Sequence, residues 1–293
     1  MTASTATSGS GTSVAVALAA ATRRLAAAGI EHARLDARLL VARAAGVAVE
    51  DLIRDPAREL TSREHRALQG LVGRRARREP LAHITGRREF WSLELAVSRE
   101  VLTPRPESET LVDAVLERLP DRNSGVRILD LGTGSGCLLL ALLSELVHAT
   151  GVGVDRSEAA LSVARWNARR LGLAGRAHFV VGDWGTALTG AFDVMMCNPP
   201  YVPSGLLSRL MPEVSANEPR LALDGGPDGL SAYGAVLADV RRLMAPDGLA
   251  ALEVGQGQRR AVAALAEGAG LALAGVRDDL SGTERCLVVS CVK

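Results

Sequence analysis

The stretch VRILDLGTGSGCLLLALLSEL, residues Val126–Leu146, decides the fold of this chain. Its beginning, VRILDL, is short and apolar and predicts a buried strand, while CLLLALLSEL at its end predicts a helix. Between them, the glycines of DLGTGSG (Asp130–Gly136) allow a sharp turn and a close approach of the backbone to a ligand. A strand, a glycine loop and a helix in this order predict the opening unit of an α/β sheet.

Strands and helices alternate from this unit to the C-terminus. The later predicted strands are ATGVGVD, AHFVVGD, FDVMMCN and GLAALEVG, and the later predicted helices are Glu158–Leu171, Ser231–Met244 and Gln258–Gly268. The last two strands, LALAGVRDD and RCLVVSCV, are separated only by LSGTE, which is too short for a crossover helix and predicts an antiparallel hairpin. The expected fold class is α/β, a doubly wound and mostly parallel sheet with helices on both faces and one antiparallel strand at the C-terminus.

The rest of the chain divides into segments of different character. Residues 1–13 are small and polar and are predicted to be disordered. Residues 14–80 show a helical pattern without a convincing strand, which predicts a small helical bundle. Residues 81–105 are predicted to form a hairpin and a linker, because apolar residues alternate in LELAV. Residues 106–293 are predicted to form the α/β domain.

Two patterns support the helical bundle. The first is a pair of apolar stripes at helical spacing, formed by Val14, Leu18, Ala21 and Leu25 and by Leu35, Leu39 and Leu40. The second is TSRE, which has the spacing of a capping box. In such a box the Thr61 hydroxyl and the Glu64 carboxylate satisfy each other's backbone donors, so a helix is expected to begin there.

Composition narrows the classes of function. The net charge of +1 argues neither for nor against a nucleic-acid partner, and 47% hydrophobic residues supply a real core. The four cysteines form no CxxC pair and no metal-ligand spacing with the five histidines, so no metal site is predicted. SVAVALAAA lacks a preceding basic segment and is shorter than the ~20 residues that span a bilayer. A cytoplasmic location without a membrane is therefore expected.

An acidic residue completes the predicted cofactor site. Asp155 ends the second strand, about twenty residues after the glycine loop, where it is placed to bind two ribose hydroxyls. Loop and acid together predict an adenosine cofactor, whereas the loop alone would also suit a tight turn without a ligand. Cys137 stands at the third glycine position of the dinucleotide fingerprint, which favours S-adenosylmethionine, a cofactor without phosphate.

The sequence GDW after the third strand extends this site. The Asp183 carboxylate can accept from the adenine amino group, and the Trp184 indole can pack on the adenine face. Ordinary core packing is the alternative for Trp184. The predicted cofactor-binding residues are Gly132, Thr133, Gly134, Ser135, Gly136, Asp155, Asp183, Trp184 and Asn198.

The fourth strand ends in MMCNPPYVPS, Met195–Ser204. Ligands of such sheets lie beyond the carboxyl ends of the strands, so Asn198 is expected to face the cofactor's methyl group. The Asn198 side-chain oxygen and the Pro199 carbonyl are the predicted catalytic groups, because two fixed acceptors can hold both N–H bonds of a planar nitrogen. Pro200 offers no competing N–H, and Tyr201 can pack against a flat substrate group. Adenine, guanine and glutamine nitrogens all suit this clamp, and a plain proline terminator of the strand is the alternative.

Several segments resemble a known family. NPPY after the fourth strand is similar to the motif of amino-methyltransferases that act on planar nitrogens. Most of the chain resembles one branch, the peptide chain release factor glutamine methyltransferases, through DARLLVARAAG, REPLAHITGRREFWSLELAVSREVLTPRPESE, DLGTGSG, GDWGTAL, NPPY and EPRLALDGGPDGLSAY. The chain departs mildly at His83 and Ser108, where the family more often has Tyr and Thr.

The resemblance implies a class I methyltransferase with a seven-stranded sheet and an N-terminal helical domain that docks on a class 1 release factor. It implies transfer of a methyl group to the N5 amide nitrogen of the glutamine in a Gly-Gly-Gln motif, without stable nucleic-acid binding. Carried onto this chain, Gly132–Gly136, Asp155 and Trp184 would contact the cofactor, and Asn198–Tyr201 would clamp the substrate amide. The alternatives are a nucleic-acid N6-adenine or N2-guanine methyltransferase, a ribosomal-protein glutamine methyltransferase, and an inactive cofactor-sensing or scaffolding module.

Two charged segments keep open interpretations. The segment TPRPESE, Thr103–Glu109, joins the two regions. Its Arg105 can meet a carboxylate of the cofactor or of the protein, but the segment is equally consistent with a rigid linker. No role is assigned to Glu107. The arginines of Arg63–Arg88 form either a solvated helix face or a steering surface for an acidic partner or RNA. This basic region lacks the interleaved aromatic residues of a single-strand binding platform.

Overall fold

The computed structural model describes residues 12–119 and 121–292. They form two compact units, divided in the chain between Thr85 and Gly86, within the stretch predicted as hairpin and linker. Most of the segment predicted to be disordered lies outside the described residues. The predicted domain limits at residues 80 and 105 stay a prediction.

The first unit is built from short helices. Its elements are β1 (Thr12–Ser13), α1 (Val14–Ala27), α2 (Ala33–Ala45), α3 (Val49–Arg54), β2 (Glu59–Leu60), α4 (Ser62–Ala76) and α5 (Leu81–Thr85). β1 and β2 pair antiparallel, which the sequence did not predict because two residues are too few for alternation to be seen. Val14, Ala21 and Leu25 of the first predicted stripe are buried. Leu35 of the second stripe is 54% exposed, and this position was predicted wrongly.

The predicted capping box begins α4. The Thr61 backbone N–H donates to Glu64 Oε2 at 2.7 Å, and the Glu64 N–H donates to Thr61 Oγ1 at 3.2 Å. The bond from the Thr61 backbone is the main cause that lowers the pKa of Glu64. A buried ion pair between Arg75 and Asp36, 2.7 Å long, ties α4 to α2. The capping box is confirmed, and it satisfies N–H groups that a helix start leaves open.

The second unit contains the α/β sheet. Its elements are β3 (Arg87–Phe90), β4 (Leu93–Ala96), α6 (Glu109–Leu116), β5 (Arg127–Leu131), α7 (Cys137–Glu145), β6 (Thr150–Asp155), α8 (Glu158–Arg170), β7 (Ala177–Val181), β8 (Phe192–Cys197), α9 (Pro212–Ser215), α10 (Ser231–Leu243), β9 (Met244–Glu253), α11 (Arg259–Gly268), β10 (Leu271–Asp278) and β11 (Glu284–Cys291). Short 3-10 turns lie at Pro106–Ser108, Ser204–Arg209 and Arg220–Ala222. The hairpin predicted before the sheet is β3 and β4.

Seven strands form the sheet in the order β10-β11-β9-β8-β5-β6-β7. β11 runs antiparallel to both of its neighbours, whereas β9, β8, β5, β6 and β7 pair in parallel. The mostly parallel sheet with one antiparallel strand at the C-terminus is therefore confirmed. β5 is the strand at which the chain order changes direction, since it pairs with β6 on one side and with β8 on the other. Open α/β sheets bind ligands at such a switch point.

Both faces of the sheet are buried, which explains its unbroken apolar strands. Ile128, Val194 and Met196 pack on one face in a core with residues of α6 and α7. Leu129 and Met195 pack on the opposite face in a core with residues of α10 and α11. The packing brings the carboxyl ends of the parallel strands to one edge of the sheet. Among the described residues, no helix is long and apolar enough to cross a membrane.

Candidate active site

A cavity of about 570 Å³ lies at the carboxyl ends of β5, β6 and β8. The predicted site residues in its lining are Gly132, Thr133, Gly134, Ser135, Asp155, Trp184, Asn198 and Pro200. The other four predicted residues, Gly136, Asp183, Pro199 and Tyr201, are chain neighbours of lining residues but are outside the lining. The fold thus collects most of the predicted site around one cavity.

The glycine loop turns sharply above β5. Gly132, Gly134 and Gly136 have φ of 75°, 55° and 82°, a backbone conformation that residues with a side chain rarely adopt. The N–H groups of Gly132 and Thr133 both donate to the Val154 carbonyl at 2.9 Å. The loop is therefore anchored to β6 at the point where the two strands end.

Asp155 connects the end of β6 to the glycine loop. Its Oδ2 accepts from the Gly134 N–H and its Oδ1 from the Ser157 N–H, both at 2.9 Å. Two backbone donors fix the direction of this half-buried carboxylate at the cavity. A carboxylate has about four acceptor positions, so lone pairs remain for two ribose hydroxyls.

Trp184 and Asp183 occupy different places. The Trp184 indole lies against the glycine loop, with its Cζ3 only 3.3 Å from where a Cβ on Gly132 would stand. It both lines the cavity and packs against the buried core, so the two interpretations of this residue are compatible. Asp183 is exposed, and its carboxylate lies 3.6 Å from the Arg156 guanidinium.

Asp130 Oδ1 and Ser135 Oγ are buried beside the cavity and make no hydrogen bond of good geometry with a described residue. The Asp130 carboxylate does interact with the Leu139 N–H, and the Ser135 side chain interacts with the Cys137 thiol. Asp130 is 1% exposed, and burial raises its pKa to about 7. Its other oxygen accepts from the Thr133 hydroxyl at 2.6 Å. Buried polar groups are normally hydrogen-bonded, so acceptors without a well-formed hydrogen bond here suit a ligand with a polar, cationic end. The amino-acid tail of S-adenosylmethionine fits that description, and the apolar cavity suits its adenosine.

The NPPY segment is held by more than its prolines. The Asn198 Nδ2 donates to Ser108 Oγ at 3.2 Å, and the Tyr201 hydroxyl donates to Glu253 Oε1 at 3.0 Å. Gln258 Nε2 donates to the Tyr201 carbonyl at 3.0 Å. Beyond Tyr201, the Val202 N–H donates to the Leu223 carbonyl at 3.0 Å, within the EPRLALDGG segment. The loop that follows β8 is therefore fixed from several sides.

Sequence reasoning missed Ser108, Glu218 and Glu253 at this site and left the role of Arg105 open. Ser108 and Glu253 bond directly, with Ser108 Oγ 2.5 Å from Glu253 Oε2. Arg105 pairs at 2.6 Å with Glu218, whose side chain is 1% exposed and whose pKa is raised by burial. Arg105 thus meets a carboxylate of the protein. Glu253 ends β9, so the rule that strand ends carry the site could have found it; no comparable signal marks Ser108 or Glu218.

Comparisons with known proteins identify families that match both units of the chain. The family described as PrmC N-terminal domain matches residues 16–86, and the one described as methyltransferase domain matches residues 122–267. The release factor glutamine methyltransferase of Rhodospirillum rubrum is 48% identical over 90% of this chain and 81% of its own length. That of Caulobacter vibrioides is 47% identical over 92% of this chain and 93% of its own.

A solved structure, the ribosomal protein L11 methylase of Lactobacillus delbrueckii subsp. bulgaricus, shares the fold at a TM-score of 0.51 and 14% identity. The superposed region covers 67% of this chain and 84% of the methylase. The sheet order, the cavity and the glycine loop define a class I methyltransferase that uses S-adenosylmethionine. Within that class, the chain belongs to the release factor glutamine methyltransferase family.

Proposed function

We propose that this chain transfers a methyl group from S-adenosylmethionine to the N5 amide nitrogen of the glutamine in the Gly-Gly-Gln motif of class 1 release factors. The observation that carries the proposal is the similarity to release factor glutamine methyltransferases across both units, 48% identity over 90% of the chain in one case. The NPPY chemistry alone suits adenine and guanine equally. The proposal places the enzyme with its substrate in the cytoplasm and predicts no stable binding of nucleic acid.

The residues around the cavity supply what the cofactor needs. Asp155 would accept from the ribose hydroxyls, the Trp184 indole would pack on the adenine, and Ser135 and Asp130 would accept from the ammonium of the tail. The backbone of the glycine loop would lie against the cofactor, because Gly132 and Gly134 leave no side chain in the way. The bound cofactor presents a methyl group on a sulfonium, which makes that carbon electrophilic.

The NPPY segment would prepare the nitrogen that attacks this methyl group. An amide nitrogen is a weak nucleophile because its lone pair is delocalised into the carbonyl. The Asn198 side-chain oxygen and the Pro199 carbonyl would accept its two N–H bonds and hold the lone pair toward the methyl carbon, so positioning is the main contribution. Tyr201, held by Glu253, would pack against the flat amide. As the nitrogen forms its bond to the methyl carbon, the bond from that carbon to the sulfonium sulfur would break, S-adenosylhomocysteine would be released, and the nitrogen would lose a proton to water.

The proposal is tested by incubating the purified protein with labelled S-adenosylmethionine and a release factor, then mapping the label by mass spectrometry. A release factor with Asn in place of the motif's glutamine is the substrate control. We expect label on that glutamine alone, and a loss of about 100-fold in turnover for Asn198→Ala, the scale of removing one catalytic hydrogen bond. Ser144→Ala should match the wild type, because among the described residues the Ser144 hydroxyl bonds only the Ala141 carbonyl of its own helix.

The same experiment separates the alternatives. A ribosomal protein and DNA or RNA oligonucleotides are offered in place of the release factor. Label on one of these and none on the release factor would overturn the proposal in favour of that substrate. No transfer to any of them, together with intact cofactor binding, would favour the inactive cofactor-sensing module.

A further inference from the structure

The direction of the Asn198 side-chain amide decides what the cavity offers to a substrate. One end of an amide donates and the other accepts. Its Nδ2 donates to Ser108 Oγ at 3.2 Å, while Oδ1 receives no hydrogen bond from a described residue. Since Asn198 lines the cavity, the end left for a ligand is the acceptor. Rotating the amide by half a turn would present a donor instead and would repel the N–H bonds of a substrate amide.

A chain of hydrogen bonds enforces this direction. Glu253 is 1% exposed, and as a carboxylate it can only accept. The Ser108 hydroxyl therefore donates its single proton to Glu253 Oε2 at 2.5 Å, and only its lone pairs face Asn198. Lone pairs require a donor opposite them, so Nδ2 and not Oδ1 must stand there. The other oxygen of Glu253 accepts from the Tyr201 hydroxyl at 3.0 Å.

We infer that Ser108 and Glu253 are positioning residues that fix the Asn198 amide with its oxygen toward the substrate nitrogen. In this role they act through Asn198; Ser108 also lines the cavity, whereas Glu253 does not. The inference rests on the proposed function for the identity of the substrate. The direction of the amide, however, is a property of this chain and can be measured without any substrate.

The negative charge of Glu253 is required for this chain of hydrogen bonds. A protonated carboxyl would donate to Ser108, the Ser108 proton would then point at Asn198, and the amide would be free to reverse. Burial raises the pKa of Glu253, so this proton is taken up at a higher pH than by an ordinary carboxyl. The titratable and charged groups that act on Glu253 or feel its charge are Glu107, Cys137, Cys197, Tyr201, Tyr233, Arg285 and Cys286. Of these, Arg285 lowers its pKa and Glu107 raises it.

Three variants test the inference on the full-length protein. Ser108→Ala removes the acceptor for Asn198, Ser108→Thr keeps the hydroxyl, and Glu253→Gln keeps the shape but puts an N–H donor into the chain. We expect Ser108→Ala and Glu253→Gln to lower kcat by about 10- to 100-fold, the range for losing an outer partner of a functional group. KM for the release factor and the affinity for S-adenosylmethionine should stay unchanged. Ser108→Thr should retain activity, and Ser144→Ala is the matched control.

A spectroscopic readout tests the amide itself. The two side-chain N–H signals of Asn198 are assigned in ¹⁵N spectra by their absence in Asn198→Ala. Their exchange with solvent should be slow in the wild type and in Ser108→Thr and faster in Ser108→Ala and Glu253→Gln. Lowering the pH should shift these signals in the wild type, and this titration should be lost in Glu253→Gln.

The outcomes separate this inference from the proposed function. Wild-type kcat in Ser108→Ala, or unchanged N–H exchange in both variants, would overturn the inference and leave the proposed function standing. Absence of transfer by the wild type would overturn the proposed function, while the exchange measurement would still decide the direction of the amide. If Glu253→Gln fails to fold, the comparison of Ser108→Ala with Ser108→Thr decides.

Discussion

At position 132, the site leaves little room for a side chain. Gly132 stands at φ 75°, and a Cβ there would lie 3.3 Å from the Trp184 indole. Two effects therefore disfavour a side chain: the strain of the left-handed backbone and a tight contact that would shift the ring lining the cavity by a few tenths of an ångström. Gly172 has nearly the same φ, 72°, with no atom within 4 Å of its missing Cβ, and it lies outside the site.

This pair predicts separable effects on stability and on binding. Gly132→Ala and Gly172→Ala should each lower the free energy of unfolding by about 1 to 2 kcal/mol, the strain of a left-handed residue. Only Gly132→Ala should also weaken the binding of S-adenosylmethionine. We expect its affinity to fall about tenfold, which corresponds to ~1.4 kcal/mol. Urea unfolding and titration calorimetry measure the two quantities. Equal cofactor affinity in both variants would contradict the assigned place of the indole.

Asp130 predicts a dependence of stability on pH. Burial raises its pKa from 3.8 to about 7, so the folded state holds this proton more tightly than the unfolded state does. The folded chain binds more protons across that window, and the free energy of unfolding therefore falls as the pH rises through it. The upper limit is about 1.4 kcal/mol for each pH unit.

Asp130→Asn removes this group's contribution while keeping an oxygen for Thr133. Relative to the wild type, the variant should gain stability steadily between about pH 5 and about pH 7. Urea unfolding without cofactor, at several pH values, gives the comparison. Curves that stay parallel for the two proteins would show that Asp130 does not titrate in this range.

At the scale of elements, α8 links the hairpin to the glycine loop through one buried side chain. Asn167 Oδ1 accepts from the Ala96 N–H at 2.7 Å. Its Nδ2 donates to the Ala96 carbonyl at 3.1 Å and to the Ser135 carbonyl at 3.0 Å. Because Asn167 is 1% exposed, water cannot replace these bonds without a rearrangement.

Asn167→Ala should therefore lower the free energy of unfolding by about 3 kcal/mol, since each buried partner left unsatisfied costs about 1 to 3 kcal/mol. Asn167→Asp should be no better, because it places an oxygen against two carbonyls. Both variants should also weaken cofactor binding through the loosened loop at Ser135. Asn123→Ala, on an exposed turn, serves as the control and should stay within about 0.5 kcal/mol. A small effect at Asn167 would mean that the loop is held by other contacts.

At the scale of the whole molecule, three arginines of the basic region are paired with carboxylates, which offsets part of its charge. The arginines with partners in the structure are Arg74 with Glu79, Arg75 with Asp36, Arg78 with the Gly29 carbonyl, Arg87 with Glu94 and Arg88 with the Pro104 carbonyl. Arg63, Arg66 and Arg77 are exposed. The ion pairs of Arg74, Arg75 and Arg87 leave fewer arginines of this region to attract a polyanion.

We therefore expect no stable complex with single-stranded or duplex RNA. Fluorescence anisotropy with labelled oligonucleotides at low and moderate salt measures the affinity. Binding that weakens steeply with salt would reveal several phosphate contacts and would contradict the expectation. The triple variant Arg63→Gln, Arg66→Gln and Arg77→Gln would then show whether the exposed arginines cause it.

The sequence by itself determined the order of the strands and helices, the glycine loop, Asp155 and the NPPY segment. These features depend on local patterns: apolar periodicity, glycine at a tight turn, and proline at the end of a strand. Because parallel strands bring their carboxyl ends to one edge, residues that end strands could be assigned to one site before any contact was known. The predicted burial of Leu35 was wrong because helical periodicity indicates which residues share a face but not where the buried part of that face begins.

Only the tertiary structure decided which side chains meet. Ser108 and Glu253 are 145 residues apart in the chain, and Arg105 and Glu218 are 113 apart. No local pattern links such positions, because their contact depends on how separate elements pack. The sequence supplied an asparagine at the end of β8. The direction of its amide, which determines whether it accepts or donates, depends on a hydroxyl and a carboxylate that only the fold brings beside it.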